Sequence, residues 1–265
     1  MARQDKTRKE IMDTLALHAI GWSGLYNSRA VNWTGVTKKT SPEDGGKKDT
    51  EVVAAWINKR FKQFSDGILQ IERTDKKPNR IKGKPYLITN HEGTSASDRR
   101  PEEKIAQQLS VVKNSSDWDI GEIINYQIPL KENDEDCAGK IDLISKKGNE
   151  LFILELKRPS SKETLLRCLL EGYTYYKTIK IKKSFKHSFD MDDAEFVICP
   201  LFFEGSQPDK DRQLEHTELM NLVKYIEDEV RVKFMRIEQY ETEDPVTGER
   251  RMSPPSTWKI CEVFL

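Results

Sequence analysis

The chain has 265 residues, of which 36% are hydrophobic and 33% charged, with 44 basic and 44 acidic side chains that cancel. That mixture is long and apolar enough to bury a core, and it excludes a disordered or fibrous chain. Residues 1–10 carry no apolar core of a signal peptide and no run approaches a bilayer span, so a cytoplasmic protein is expected.

The neutral total hides an asymmetry. Residues 1–100 hold 20 basic and 12 acidic side chains, residues 101–265 hold 24 and 32, so the halves carry +8 and −8. A basic front half attracts polyanions, and an acidic back half suits a cation site. Cys137, Cys168, Cys199 and Cys261 have no paired spacing, which fits reduced thiols.

In chain order, the spacing of Ile11, Leu15 and His18 or Ala19 predicts a helix over 5–20. Residues 26–50, rich in Gly, Ser, Thr, Asn and Lys, read as a long loop. A helix over 50–65 follows, with Val53, Trp56, Ile57, Phe61 and Phe64 on one face. Short strands are expected at 68–73 and 85–89, joined by the basic loop 76–84, with a connector over 90–100.

Pro101 opens a helix over 102–113 with Ile105, Leu109 and Val112 on its buried side. Strands are expected at 121–129, 139–145 and 150–157, the first two joined by a solvated acidic turn, 131–136. Ser160-Ser-Lys-Glu163 reads as a capping box opening a helix to about Ile179. A strand over 194–203, a helix near 212–228 and strands near 230–240 and 257–264 complete the chain. The order predicts a mixed sheet, its first three strands a meander and its fourth parallel to a partner across a helical crossover.

One constellation stands out. In the run Leu151-Phe-Ile-Leu-Glu155-Leu-Lys157, Glu155 and Lys157 project to the same face of an apolar strand, and Asp142 lies thirteen residues before Glu155. Uncompensated, such charges cost several kcal/mol, about what a bound divalent cation would offset. On the following helix Glu171 and Tyr175 are four apart and stacked, beside a buried face of Leu165, Leu166, Leu169, Leu170, Tyr173 and Tyr176.

An Asp, a spacer and Glu-x-Lys on a hairpin between two helices, over residues 101–203, resemble the PD-(D/E)XK, or restriction-endonuclease-like, nuclease superfamily. The resemblance implies an α/β/α sandwich around a mixed sheet, assigned to residues 96–265; residues 1–95, outside the resemblance, are expected to form an α-rich extension for recognition or for a partner, protein or second copy. It implies Mg2+, or Mn2+ in its place, held by Asp142, Glu155 and the Leu156 carbonyl, with Lys157 orienting or deprotonating the attacking water. The family's helix glutamate corresponds to Glu102 or Glu103; Glu102 shares the face of Ile105 and Leu109, although acids in a first helical turn are also favoured by the dipole. Glu171-Gly-Tyr-Thr-Tyr175 is similar to the Gln-x-x-x-Tyr of RecB-like nucleases, with Glu for Gln. That leaves Glu171 either at the metal site, through Lys157 or water, or bridging a surface cation, and Tyr175 equally open to packing.

The activity implied is nucleic-acid cleavage, DNA above all, in restriction, defence or repair. The alternatives are a nuclease fold kept for nucleic-acid binding alone and a protein-interaction module. Lys177, Lys180, Lys182 and Lys183 are candidate phosphate contacts, though helix-end lysines are also expected from the dipole. Trp22, Trp33 and Trp56 read as packing residues before base-stacking ones. His18, His91, His187 and His216 form no metal-spaced pair, and no HNH, HEXXH, Walker or GxSxG pattern is present.

Overall fold

A computed structural model describes residues 6–18, 21–38, 46–76, 80–88, 100–112, 117–133, 138–243 and 249–265. Helix α1 (Arg8–Ala16) opens with a capping box in which Thr7 Oγ1 accepts from Glu10 N and the Glu10 carboxylate accepts from Thr7 N. The single helix expected over 50–65 is two, α2 (Asp49–Asn58) and α3 (Phe61–Gly67). The break at Arg60 turns the chain so that both Phe61 and Phe64 reach the Tyr173 ring. Most of the Ser41–Gly46 turn and of the 90–100 connector lies outside the described residues, as does Cys137.

The 68–73 strand is reduced to one parallel bridge, Ile71 with Ile179. A hairpin follows, β1 (Arg80–Ile81) and β2 (Lys84–Ile88), turning through Gly83 at φ +78°, a backbone state that glycine tolerates. Glu132, expected in a solvated turn, accepts instead from Arg80 Nη1 at 2.6 Å and Thr74 Oγ1 at 2.7 Å. The hairpin thus ties to the β-meander through a carboxylate fork.

Helix α4 (Pro101–Ser110) precedes strands β3 (Glu122–Pro129), β4 (Lys140–Lys147) and β5 (Glu150–Lys157). These three form the expected antiparallel meander. Helix α5 (Leu165–Thr178) starts later than the Ser160 capping box implies. Thr164 is the N-cap, accepting from Arg167 N at 3.2 Å, because Glu163 is drawn to Lys157. Helix α6 (Lys182–Ser188), absent from the sequence reading, leads to β6 (Glu195–Phe203), which runs parallel to β5 as expected.

The helix expected near 212–228 is α8 (Thr217–Glu227), and a further short helix, α7 (Gln207–Arg212), precedes it, the two separated at the buried His216. Strands β7 (Arg231–Val232), β8 (Phe234–Glu238), β9 (Glu241–Glu243), β10 (Arg250–Met252) and β11 (Lys259–Val263) follow. The β9–β10 hairpin was not foreseen, being short and charged.

The fold is therefore mixed α/β with a seven-stranded mixed sheet in the order β11-β8-β6-β5-β4-β3, β7 pairing with β6. Strand β5 is central, and residues Leu151 to Lys157 are all buried, as for a strand covered on both faces. Leu151 and Ile153 join a core with α5 and the N-terminal helices; Phe152, Leu154 and Leu156 join a second with Ile105 and Leu109 of α4 and with Trp118 and Trp258. Burying each such aliphatic side chain contributes about 1.5–3 kcal/mol. Gly172 permits the close approach of α5, since a Cβ there would stand 2.8 Å from Ile198 Cγ2 of β6.

Candidate active site

The period-two alternation of β5 sends Glu155 and Lys157 toward α5, the side of Leu151 and Ile153. Both are only 3% exposed. Two charges in a central strand need partners, and Lys157 Nζ has three: Glu155 Oε1 at 2.6 Å, Glu163 Oε2 at 2.8 Å and Glu171 Oε2 at 3.0 Å. Glu163 stands just ahead of the Thr164 cap and Glu171 about two turns on within α5, so the helix supplies one of the three carboxylates and the segment leading into it another. Arg167 Nε approaches Glu163 at 3.1 Å and Glu171 at 3.7 Å.

Glu155 is not satisfied in return. Its Oε1 is held by Lys157, but Oε2 is buried with no N–H or hydroxyl donor, and its one polar neighbour is the Glu171 carboxylate, which can share a proton with it. Burial raises its pKa well above the usual carboxylate range, and the charges of Asp142 and Glu171 push the same way. For Lys157 burial works against the ammonium, yet Glu155 and Glu171 outweigh it and hold the pKa well above the ordinary lysine value. Burial would also raise Glu171, but Lys157 prevails and its pKa falls.

Asp142 reaches the site from β4. Leu143 pairs with Leu154, so the next pair along the hairpin is Asp142 and Glu155. Its Oδ2 accepts from Leu156 N at 2.9 Å and its Oδ1 from Gln127 Nε2 at 2.9 Å. Burial pushes the Asp142 pKa up to about 7, against the pull of Lys157 and the Leu156 amide. Gln127 sits opposite Asp142 in the β3–β4 register, between the pairs Tyr126–Leu143 and Ile128–Ile141, and has φ +48°. A non-glycine residue in that region stores strain, here spent at the residue that orients the aspartate.

Glu102 faces the end of β5, its Oε1 accepting from Arg158 N at 3.3 Å and its charge adding to the rise at Asp142. Glu103 instead pairs with Arg100 at 3.2 Å and Lys140 at 4.0 Å. Tyr175 donates its hydroxyl to Glu171 Oε1 at 2.9 Å and stacks edge-on against Tyr26. Gly139 leaves room for that hydroxyl, which would lie 2.5 Å from a Cβ there. Pro200, opposite Glu155 on β6, brings no N–H to the ladder, and the Glu155 carbonyl accepts from Cys168 Sγ at 3.3 Å.

The structure thus gathers Asp142, Glu155, Leu156, Lys157, Glu171 and Tyr175, with Glu102 at the rim. It places the lysines elsewhere. Lys177 pairs with Glu229 at 2.7 Å and Lys180 with Glu72 at 3.2 Å; Lys182 is half-buried and donates to the Tyr176 and Ile179 carbonyls, ending α5; Lys183 is exposed. Burial lowers the Lys182 pKa to about 7. Trp22 packs on Trp56 and Phe64, as the packing reading expects. Gln127, Glu163 and Arg167 are site residues that the sequence reading missed; Glu163 carried a signal, but one that read as a helix cap.

Among the described residues, no three His, Cys, Asp or Glu side chains form a ready-made metal cage, and no helix is long and apolar enough to cross a membrane. No protein-family model, curated protein or solved structure matches this chain.

Proposed function

We propose that this protein is a Mg2+-dependent nuclease of the PD-(D/E)XK type, built on a restriction-endonuclease-like sandwich and cleaving phosphodiester bonds, with DNA as substrate. The observation that carries the reading is the buried Oε2 of Glu155, which lacks an N–H or hydroxyl donor, beside Asp142 on the neighbouring strand. Magnesium needs only one or two carboxylates with water and phosphate completing its shell, so Asp142, Glu155 and the Leu156 carbonyl suit it without a third acidic ligand. An ion there would supply positive charge to the scissile phosphate and a more acidic bound water.

The chain's own groups have separable tasks. Lys157, ringed by three carboxylates, acts as a hydrogen-bond donor and positive charge toward the developing phosphorane. Glu163 and Glu171 fix its ammonium, and Tyr175 and Arg167 fix those carboxylates in turn. Gln127 and the Leu156 amide hold Asp142 in one rotamer. Glu102, at the rim beside the Arg158 amide, assists at the attacking water.

A second reading, a nuclease fold that binds nucleic acid without cutting, draws support from the saturation of Lys157 by three carboxylates. Incubation with linear, supercoiled and single-stranded DNA, with Mg2+, Mn2+ or EDTA, separates the two. Metal-dependent cutting lost in Asp142→Ala and Lys157→Ala supports the nuclease. Binding without cutting in every condition supports the second reading.

A further inference from the structure

A second cleft, of about 770 Å3, lies among α1, α2 and the turn that opens α8, apart from the carboxylate cluster. Its volume is that of a small-molecule site, for which roughly 300–1,000 Å3 is usual. The floor is apolar, with Met12, Val52 and Trp56. The Arg60 guanidinium lies over the Trp56 ring, 4.4 Å from its centroid, and Nη1 donates to the Trp56 carbonyl at 3.3 Å. Trp56 is itself buried and holds the guanidinium flat, so the outer face of Arg60 is the planar, positively charged wall.

The charges around the cleft do not balance locally. Of its acids, Glu51 is consumed by the backbone N–H groups of Glu218 and Leu219, at 2.7 and 3.1 Å, and by His216. The Glu218 carboxylate accepts from Asn58 Nδ2 at 3.0 Å. The cations Lys47, Lys48 and Lys59 also line the cleft, and among the described residues none of their three ammonium groups has an ion-pair or hydrogen-bond partner. With the exposed Glu215 the lining holds three acids against five cations, Arg8, Lys47, Lys48, Lys59 and Arg60, which leaves a positive surplus above an apolar floor. A ligand that answers both features has a polyanionic end and a flat, weakly polar end.

We propose that this cleft binds a phosphorylated nucleoside, its phosphates met by Lys47, Lys48 and Lys59 and its base lying against the outer face of Arg60. The ligand is either a free nucleotide or a nucleotide unit of a nucleic-acid strand. The site is independent of the carboxylate cluster and stands whether or not that cluster cleaves phosphodiesters.

The test is calorimetric titration of the full chain in EDTA with ATP, GTP, their unphosphorylated nucleosides, inorganic triphosphate and a 5′-phosphorylated single-stranded oligonucleotide. The proteins compared are wild type, Lys59→Glu, Lys48→Glu/Lys59→Glu and Asp142→Ala. Nucleotide binding is expected to weaken about tenfold or more in Lys59→Glu, further in the double variant, and for the nucleosides, while Asp142→Ala binds as wild type does. Lys59 is exposed, so its substitution leaves the fold intact and keeps the test decisive if the double variant unfolds. Tighter binding of ATP or GTP than of the oligonucleotide identifies a free nucleotide; the reverse, through the same lysines, identifies a strand. Absence of nucleotide and oligonucleotide binding, binding that survives Lys59→Glu, triphosphate alone binding as well as ATP, or loss with Asp142→Ala overturns the proposal.

Discussion

Glu155 is where folding and chemistry conflict. One of its oxygens is buried without a donor, a penalty of about 1–3 kcal/mol, and the raised pKa reports the same strain. Glu155→Gln keeps the shape and removes the charge, while Lys157 retains Glu163 and Glu171. Its thermal midpoint in EDTA is expected to rise, by the equivalent of about 1–2 kcal/mol, as metal-dependent cleavage disappears. A lower midpoint would mean that the Lys157–Glu155 contact outweighs the orphaned oxygen. Lys157→Ala has the opposite sign. It leaves three carboxylates around a buried void and is expected to cost about 3–5 kcal/mol in metal-free protein, measured by denaturant unfolding.

The same residues set a pH dependence. Asp142 has a pKa near 7 when folded, raised chiefly by burial from the ordinary aspartate range, so the folded state holds the extra proton. Its contribution to metal-free stability is complete below about pH 4 and is lost as pH climbs through about 7, and Glu155 shifts in the same direction. Bound metal replaces those protons. Magnesium is therefore expected to raise the unfolding temperature more at about pH 8 than at about pH 5.5. Equal shifts at the two pH values would show that these carboxylates do not hold the ion.

At the level of elements, α5 matters most, because it brings Glu171, Tyr175 and Cys168 to the end of β5. Its distance from the sheet is set at Gly172, where a methyl group would meet Ile198 at 2.8 Å. Gly172→Ala is expected to destabilise the protein by about 1–3 kcal/mol through overpacking, despite the better helix propensity of alanine. Circular dichroism on thermal unfolding checks this, and a stabilised variant would mean that α5 does not rest on β6 through this contact.

The meander, the crossover and the parallel β6 were legible because strand period and strand length are local. Asp142, Glu155 and Lys157 were legible because a period of two and a hairpin suffice to bring them together. Gln127 was not, since its approach depends on a left-handed backbone state and on the β3–β4 register. Glu163 was misread because Ser-x-x-Glu spacing is the same for a cap and for a residue recruited by a buried lysine. The late start of α8 was hidden because His216 is buried by Glu51, 165 positions away in chain order. The cleft on α2 is invisible in sequence for that reason too, combining residues 8–60 with 214–218.

Across the whole chain, residues 1–100 carry +8 and residues 101–265 carry −8, and the carboxylate cluster belongs to the acidic part of the sequence. An acidic region around the metal would repel a polyanion unless a cation is bound and the basic region supplies contacts. Affinity for DNA is accordingly expected to fall about tenfold or more between roughly 50 and 200 mM salt. The carboxylate pair, Glu155 buried and Asp142 half-buried, is screened less, so metal affinity should change less than DNA affinity over that range. Electrophoretic shift and calorimetry follow the two quantities separately, and salt-independent DNA binding would contradict the division of labour.

Titration of Mn2+ followed by electron paramagnetic resonance measures, without reference to any substrate, whether Asp142 and Glu155 together hold one divalent ion. One Mn2+ bound per chain, lost in both Asp142→Asn and Glu155→Gln and displaced by Mg2+, is the expected result. A protein that binds no Mn2+, or binds it equally well in both variants, would leave the Lys157 cluster as a buried ion-pair network and nothing more.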